Sequence, residues 1–255
     1  MSYLGEHPAP SDDLGTPYDG PRPATRVVSL VPSLTEALVS VAADRVVGAT
    51  DWCTHPADLE VPRVRGTKNP DLAAIAALAP DVVVANKEEN RKLDVRRLRE
   101  RGVRVWVTDI ETVPQAVASM ERLLDGIGWD RPAWLTEARR LWCGPLPRVT
   151  RRVAVPIWRD PWMVVGSRTF TGDLLRRLGW ENVFGQHADR YPHVDLADID
   201  GAGADAVLLP DEPYVFTAED GPEAFRQTET ELVSGRLITW YGPSLVKAYL
   251  LHRSV

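Results

Sequence analysis

The sequence predicts an α/β protein: two lobes with mainly parallel, Rossmann-like sheets, bridged by a long helical segment. Three observations carry the prediction. Between Arg26 and Thr108, short apolar runs alternate with stretches of helical spacing, the pattern of parallel sheets covered by helices on both faces. From Val113 to Trp142 only helical spacing is found. At Arg152 the alternation of strand and helix starts again. The boundaries that follow are a disordered leader over residues 1–25, an N-terminal lobe over 26–111, the bridge over 112–147 and a C-terminal lobe over 148–255.

The leader is rich in Pro, Gly and Asp and too polar to pack. Arg26–Val31 is a short apolar strand. Pro32-Ser33 opens a helix, with Ser33 and Glu36 spaced as a capping box and Leu34, Leu38 and Val41 on one face. Val46-Val47-Gly48 reads as a second strand. Asn69 is the expected cap of the next helix, with Pro70 in its first turn and Leu72, Ile75 and Leu78 inward. Asp81–Ala85 is a strand, Lys92–Arg101 a helix closed by Gly102, and Arg104–Thr108 a strand. In the bridge, Val117, Met120, Leu123 and Leu124, then Trp134, Leu135, Ala138 and Leu141, keep helical register on either side of an interruption at 128–132. Arg152–Ile157 is a strand, Thr169–Leu178 a helix stopped by Gly179, and Ala206–Leu209 a strand. Leu237–Trp240 is read as a further strand. A ligand cleft is expected between the lobes, facing the strand ends of both.

The 255 residues carry a net charge of −6, with 44% hydrophobic and 26% charged residues, which is ordinary for a globular chain with one large core or two smaller ones. The acidic balance excludes nucleic acid as a general partner, because that needs a basic surface. Cys53 and Cys143 form no disulfide framework and lack zinc-site spacing, although a single bridge between them stays open. No run is long enough for a transmembrane helix. The N-terminus has neither the basic nor the apolar region of a signal peptide, and no cysteine to carry a lipid. The expected location is therefore the cytoplasm.

The densest candidate site is Asn86-Lys87-Glu88-Glu89-Asn90-Arg91, a polar run directly after the strand that ends at Ala85. Open α/β sheets bind ligands at the carboxyl ends of their strands, whereas plain connections are shorter and richer in Gly. The alternative is a solvated loop. Nine tryptophans stand against four phenylalanines. Trp52, Trp158, Trp162 and Trp240 fall at strand outlets, beside Arg159, Tyr191 and Tyr241. Rings that meet a cleft suit a broad planar ligand, and the alternative is that any one of them fills core. Trp106, Trp129, Trp134, Trp142 and Trp180 are assigned to packing. In Asp51–Pro56, Cys53 and His55 are candidate ligands for a soft or borderline metal, set against a buried thiol and a surface histidine. His187 and His193 flank Arg190-Tyr191-Pro192 and are candidates for a third ligand. Lys87, Glu88, Glu89, Arg159 and Glu212 are placed to hydrogen-bond the polar arms of a ligand, or to pair with one another.

Further pieces of the chain form a set: Val28–Glu36, Gly66–Leu72 and Ala79–Asn86, then Thr169–Val183 with its Leu-Gly-Trp-Glu-Asn-Val end, Tyr191-Pro192 and Ala204–Leu208. In these motifs and in layout the chain resembles the helical-backbone (class III) substrate-binding proteins. In that class two lobes are bridged by one long helix, and the ligands are cobalamin, ferric siderophores and haem. The resemblance covers residues 26–252, and the Asn-Lys-Glu-Glu-Asn-Arg loop leans toward a leaderless, cobalamin-binding branch. It implies a protein that captures cobalamin or a related tetrapyrrole or metal chelate, with no covalent cofactor. Ser33, Lys68, Asn86, Asn90 and Arg190 then join the site residues already named.

Members of the class dock on an ABC permease through an acidic residue on each lobe. The equivalents here are Asp71 and Ala197, with Asp195 and Asp198 near the latter, so one docking charge is shortened and the other displaced. No permease partner is assigned. The competing function is a cytoplasmic enzyme on the same fold that uses Glu88/Glu89 and Cys53/His55 on a small substrate. Against it, the chain has no nucleophile elbow, phosphate loop or metalloprotease helix, and Gly201-Ala202-Gly203-Ala204 lacks the context of a dinucleotide fingerprint. A third reading is a relict fold that serves as a protein-interaction module.

Overall fold

The computed structural model describes residues 9–252. The chain forms two compact units. The first runs to Ile110 and includes Val117–Thr136 and Tyr241–Pro243; the second takes Glu111–Ala116, Glu137–Trp240 and the stretch from Ser244.

In the first unit, β1 (Val27–Ser29) leads to α1 (Pro32–Ala42) and β2 (Val46–Ala49). A small antiparallel hairpin of β3 (Arg65–Gly66) and β4 (Asn69–Pro70) precedes α2 (Leu72–Ala77). Then come β5 (Val82–Asn86), α3 (Lys92–Glu100) and β6 (Val105–Thr108). The sheet is parallel in the order β2-β1-β5-β6. Central β5 is buried throughout, as the continuous apolar run of a doubly covered parallel strand requires. Val28, Leu30, Val83, Ala85 and Val107 pack with Ile75 of α2 and with Val95 and Leu98 of α3.

Two helix starts differ from the sequence expectation. α1 begins at Pro32 with Val31 as an extended cap that makes no side-chain cap bond, so Ser33 lies inside the first turn and the Ser33/Glu36 box does not form. Asn69-Pro70 belongs to the hairpin instead. The cap of α2 is Asp71, whose Oδ1 accepts from the amides of Ala73 (3.1 Å) and Ala74 (3.0 Å).

The expected disordered leader is also corrected: residues 1–8 lie outside the described residues, and 9–25 are packed. The buried Asp12 carboxylate accepts from the amide of Val107 (3.1 Å) and pairs with Arg99 (3.2 Å). The amide of Asp13 donates to the Val107 carbonyl (3.2 Å), while its carboxylate accepts from the Asp109 amide (2.9 Å). Tyr18 is buried edge-on to Trp106, with centroids 6.1 Å apart. Composition marks this segment as unable to make a core of its own, but its acids satisfy the open edge of β6, which a bare edge strand needs.

The stretch whose residues are divided between the units holds α4 (Val113–Ile127) and α5 (Ala133–Trp142). Gly128, at φ +75°, ends α4 in a backbone conformation that glycine adopts most easily.

In the second unit, β7 (Arg151–Ala154) is followed by an antiparallel hairpin of β8 (Pro156–Trp158) and β9 (Met163–Val164). Next come α6 (Phe170–Leu178), β10 (Trp180–Asn182), α7 (Leu196–Asp200), β11 (Ala206–Pro210), β12 (Thr230–Val233), α8 (Gly235–Thr239) and α9 (Ser244–His252). The sheet is parallel in the order β10-β7-β11-β12. Thr169 Oγ1 caps α6 at the Gly172 amide (3.1 Å), and Gly179 stops it at φ +85°. The expected strand at Leu237–Trp240 is helix α8 up to Thr239, and the edge strand lies earlier, at β12. Four residues cannot separate a strand from one helical turn by pattern alone.

Candidate functional site

Each unit has a face of its own where the loops leave the carboxyl ends of the parallel strands. In the first unit the turn after β5 is built by its two asparagines. Asn86 is buried; its Nδ2 donates to Thr108 Oγ1 (3.0 Å), and its Oδ1 accepts from the amides of Glu88 (2.8 Å) and Glu89 (3.2 Å). Asn90 is buried too, accepting from the Asn86 amide (2.9 Å) and donating to the Thr67 carbonyl (3.0 Å). Lys68 Nζ donates to the Glu88 carbonyl (2.5 Å), which ties the β3-β4 hairpin to the turn. Lys87 reaches Asp109 Oδ2 at 2.6 Å. These polar atoms shape the loop.

The turn keeps the side chains of Lys87, Glu88 and Glu89 wholly or partly exposed. Burial pushes the Glu89 carboxyl pKa up; Lys68 opposes the rise and Glu88 adds to it. Trp52 is 66% exposed beside the hairpin. Its Nε1 lies 3.1 Å from where a Cβ on Gly66 would sit, and Asn69 Oδ1 only 2.5 Å away, so the approach depends on glycine. Ser33 and Tyr241 are buried. Trp52, Lys68, Glu88 and Glu89 are therefore the predicted residues that this unit brings together.

Cys53 is fully buried, with its Sγ 2.9 Å from Thr35 Oγ1 and 3.1 Å from Thr50 Oγ1. Burial pushes its thiol pKa up, which disfavours the thiolate that a metal needs. His55 is half-buried, with Nδ1 3.2 Å from Thr54 Oγ1. Among the described residues no group of three or more His, Cys, Asp or Glu side chains is arranged to hold a metal ion. His187 and His193 are exposed, and His187 Nδ1 accepts from the Asp189 amide (3.0 Å).

In the second unit Trp158 ends β8, 46% exposed, and stands edge-on to Tyr214 at 5.7 Å. Tyr214 OH donates to Asp220 Oδ2 (2.6 Å). Arg159 pairs with the same Asp220 and with Glu223 (2.6 Å), and lies over the Trp162 ring at 5.5 Å. Trp162 is only 9% exposed, stacked on Phe216 and edge-on to Phe225, in the core with Val164, Ile199 and Leu209. Trp240 is buried beneath Arg236. Glu212 Oε1 accepts from Thr239 Oγ1 (3.2 Å), and burial pushes its pKa up. Arg190 pairs with Glu111 (3.2 Å), and Tyr191 is half-buried. This face therefore offers Trp158, Glu212 and Tyr191, whereas Trp162 is core and Arg159 is an internal ion-pair hub. Tyr214 was missed by sequence reasoning, although the strand-exit argument that selected Glu212 applies equally two residues later.

No protein-family model matches the chain. It is 28% identical over 210 residues to a vitamin B12-binding protein of Vibrio cholerae serotype O1, covering 78% of this chain and 72% of that protein. The periplasmic vitamin B12 binding protein BtuF of Vibrio cholerae superimposes with a TM-score of 0.72 at 17% identity, over 92% of this chain and 97% of that one. The periplasmic haem-binding protein BhuT, solved in complex with two haems, gives 0.68 at 22% identity, over 89% and 96%. The α/β class read from the sequence is borne out, as is the resemblance at the level of the class: the chain has the fold of the helical-backbone, class III substrate-binding proteins. The cytoplasmic expectation is overturned by these comparisons, whose solved neighbours are periplasmic proteins. The enzyme alternative finds no support among these relatives.

Proposed function

We propose that this protein is a binding protein for cobalamin or a related tetrapyrrole or metal chelate. The observation that carries the reading is a pair of exposed indoles, Trp52 and Trp158, each at a strand-exit face of this fold. An indole left largely in water contributes little to folding, whereas a planar ligand gains large contact area from one. Lys68, Glu88 and Glu89 of the first unit, and Glu212 and Tyr191 of the second, supply the polar contacts. Of the cations beside the faces, Lys87 already holds Asp109, Arg159 holds Asp220 and Glu223, and Lys68 donates to the Glu88 carbonyl. Such a surface suits arms that are amides better than arms that are carboxylates, because a second carboxylate would compete for an occupied cation. That argument, with the relatives' name, puts cobalamin ahead of haem.

Permease docking is not part of this reading. The Asp71 carboxylate is engaged as the cap of α2, with Arg65 3.8 Å away. Equilibrium dialysis against hydroxocobalamin, with haemin as competitor, tests the proposal. Saturable binding of one corrin per chain at micromolar concentration or below is expected, with haemin the weaker. Haemin preferred tenfold, or no saturable uptake of either, would overturn it.

A further inference from the structure

The second unit contains a cavity of about 480 Å³ whose lining includes none of the residues proposed above for ligand capture. Its acidic lining residues are Glu111, Asp173 and Glu181, and its basic ones Arg152, Arg168 and Arg176. Every one of these carboxylates is met within the unit. Glu111 pairs with Arg190 at 3.2 Å, Asp173 with Arg177 at 2.7 Å, and Glu181 with Arg152 at 3.6 Å. Asp173 also accepts from the Val113 amide (2.8 Å), and Arg152 donates to the Gly203 carbonyl (2.7 Å). The guanidinium groups of Arg168 and Arg176, both exposed at the cavity, have no hydrogen-bond or ion-pair partner among the described residues. The charge of the cavity that is not answered internally is therefore positive, and it comes from two guanidinium forks.

We infer that this cavity is a second binding site, for a small molecule carrying a phosphate or carboxylate group. Guanidinium forks match two-oxygen acceptors, and two of them around one cavity select oxyanions over neutral ligands. Ser167 contributes a hydroxyl to the same lining, and the capped amino end of α6 brings partial positive charge at Thr169 and Gly172. The volume lies toward the small end of small-molecule pockets, which sets this site apart from one for a tetrapyrrole.

Calorimetric titration of the full-length protein at low ionic strength, without any corrin, tests the inference. The probes are inorganic phosphate and citrate, added separately. The proteins are wild type, the double variant Arg168→Gln/Arg176→Gln, and Arg96→Gln as a control on a surface arginine elsewhere. One-site binding of at least one anion at millimolar concentration or tighter is expected, weakened at least tenfold in the double variant and unchanged in the control. Phosphate alone binding assigns phosphate-bearing ligands, and citrate alone assigns carboxylates. Hydroxocobalamin affinity of the double variant, measured in parallel, should stay within twofold of wild type. No saturable binding of either anion, or equal binding in the folded double variant, would overturn the site, whatever the outcome with the corrin.

Discussion

The loop after β5 and the loop after β8 look alike as sequence: each is a polar, strand-terminal segment with charged residues assigned to the candidate site. Their atoms are used in opposite ways. In the first, Asn86 and Asn90 turn inward and bind the backbone, so the residues between them are held at the surface. In the second, Arg159 is locked by Asp220 and Glu223 and covers Trp162, leaving Trp158 as the exposed group. A polar loop at a strand end is thus a candidate place for a site and no more. Which of its residues face a ligand depends on the hydrogen bonds each side chain has already made inside the protein.

The comparison breaks most visibly at the two tryptophans of the β8 loop. Trp162→Ala should cost roughly 3–5 kcal/mol of stability, as for a large ring removed from a core, with ligand affinity lost only through unfolding. Trp158→Ala should cost about 1 kcal/mol, the edge contact with Tyr214, while weakening ligand binding tenfold or more. Urea denaturation and calorimetry on both variants check the pair. Equal stability losses would erase the distinction between core and face.

Asn90→Ala comes next. It leaves the Asn86 amide and the Thr67 carbonyl without their bonds, and should cost about 2 kcal/mol. Amide exchange should rise through residues 86–90. A stability change within about 0.5 kcal/mol, the range of an ordinary surface substitution, would show that the asparagine is not organising the turn.

The smallest effect concerns Glu89. Its carboxyl holds a proton in the folded chain above the ordinary value of 4.5, so the folded state binds more protons than the unfolded one. That stability is fully present below about pH 4.5 and is lost as pH rises through the raised folded value. Glu89→Gln keeps the position neutral throughout, so the variant should gain on wild type as pH rises from about 4.5 to 7. Parallel curves for the two proteins would remove the raised Glu89 carboxyl from the account.

Much of this architecture is legible because strands buried on both faces are written as plain apolar runs, as at Val82–Ala85 and Ala206–Leu209. Misreadings came where a local signal had a non-local partner. Asn69-Pro70 has the form of a helix start, but it pairs with Arg65-Gly66 in a hairpin. Residues 9–25 have the composition of disorder, but Asp12 and Asp13 find the open edge of β6. Of the candidate site, the exposure of Trp52 and of the Glu88-Glu89 pair was legible from position after a strand. The burial of Trp162 and Trp240 was not, because an indole at a strand outlet serves a core or a ligand equally well by sequence.

The central claim is that Trp52 and Trp158 form ligand-contacting faces. The most direct test is calorimetric titration of hydroxocobalamin into wild type, Trp52→Ala and Trp158→Ala under one buffer condition. The account predicts saturable one-site binding to wild type and at least tenfold weaker binding to each variant, with both variants folded. Wild-type binding left unchanged by both substitutions, or no saturable binding to wild type, would contradict it.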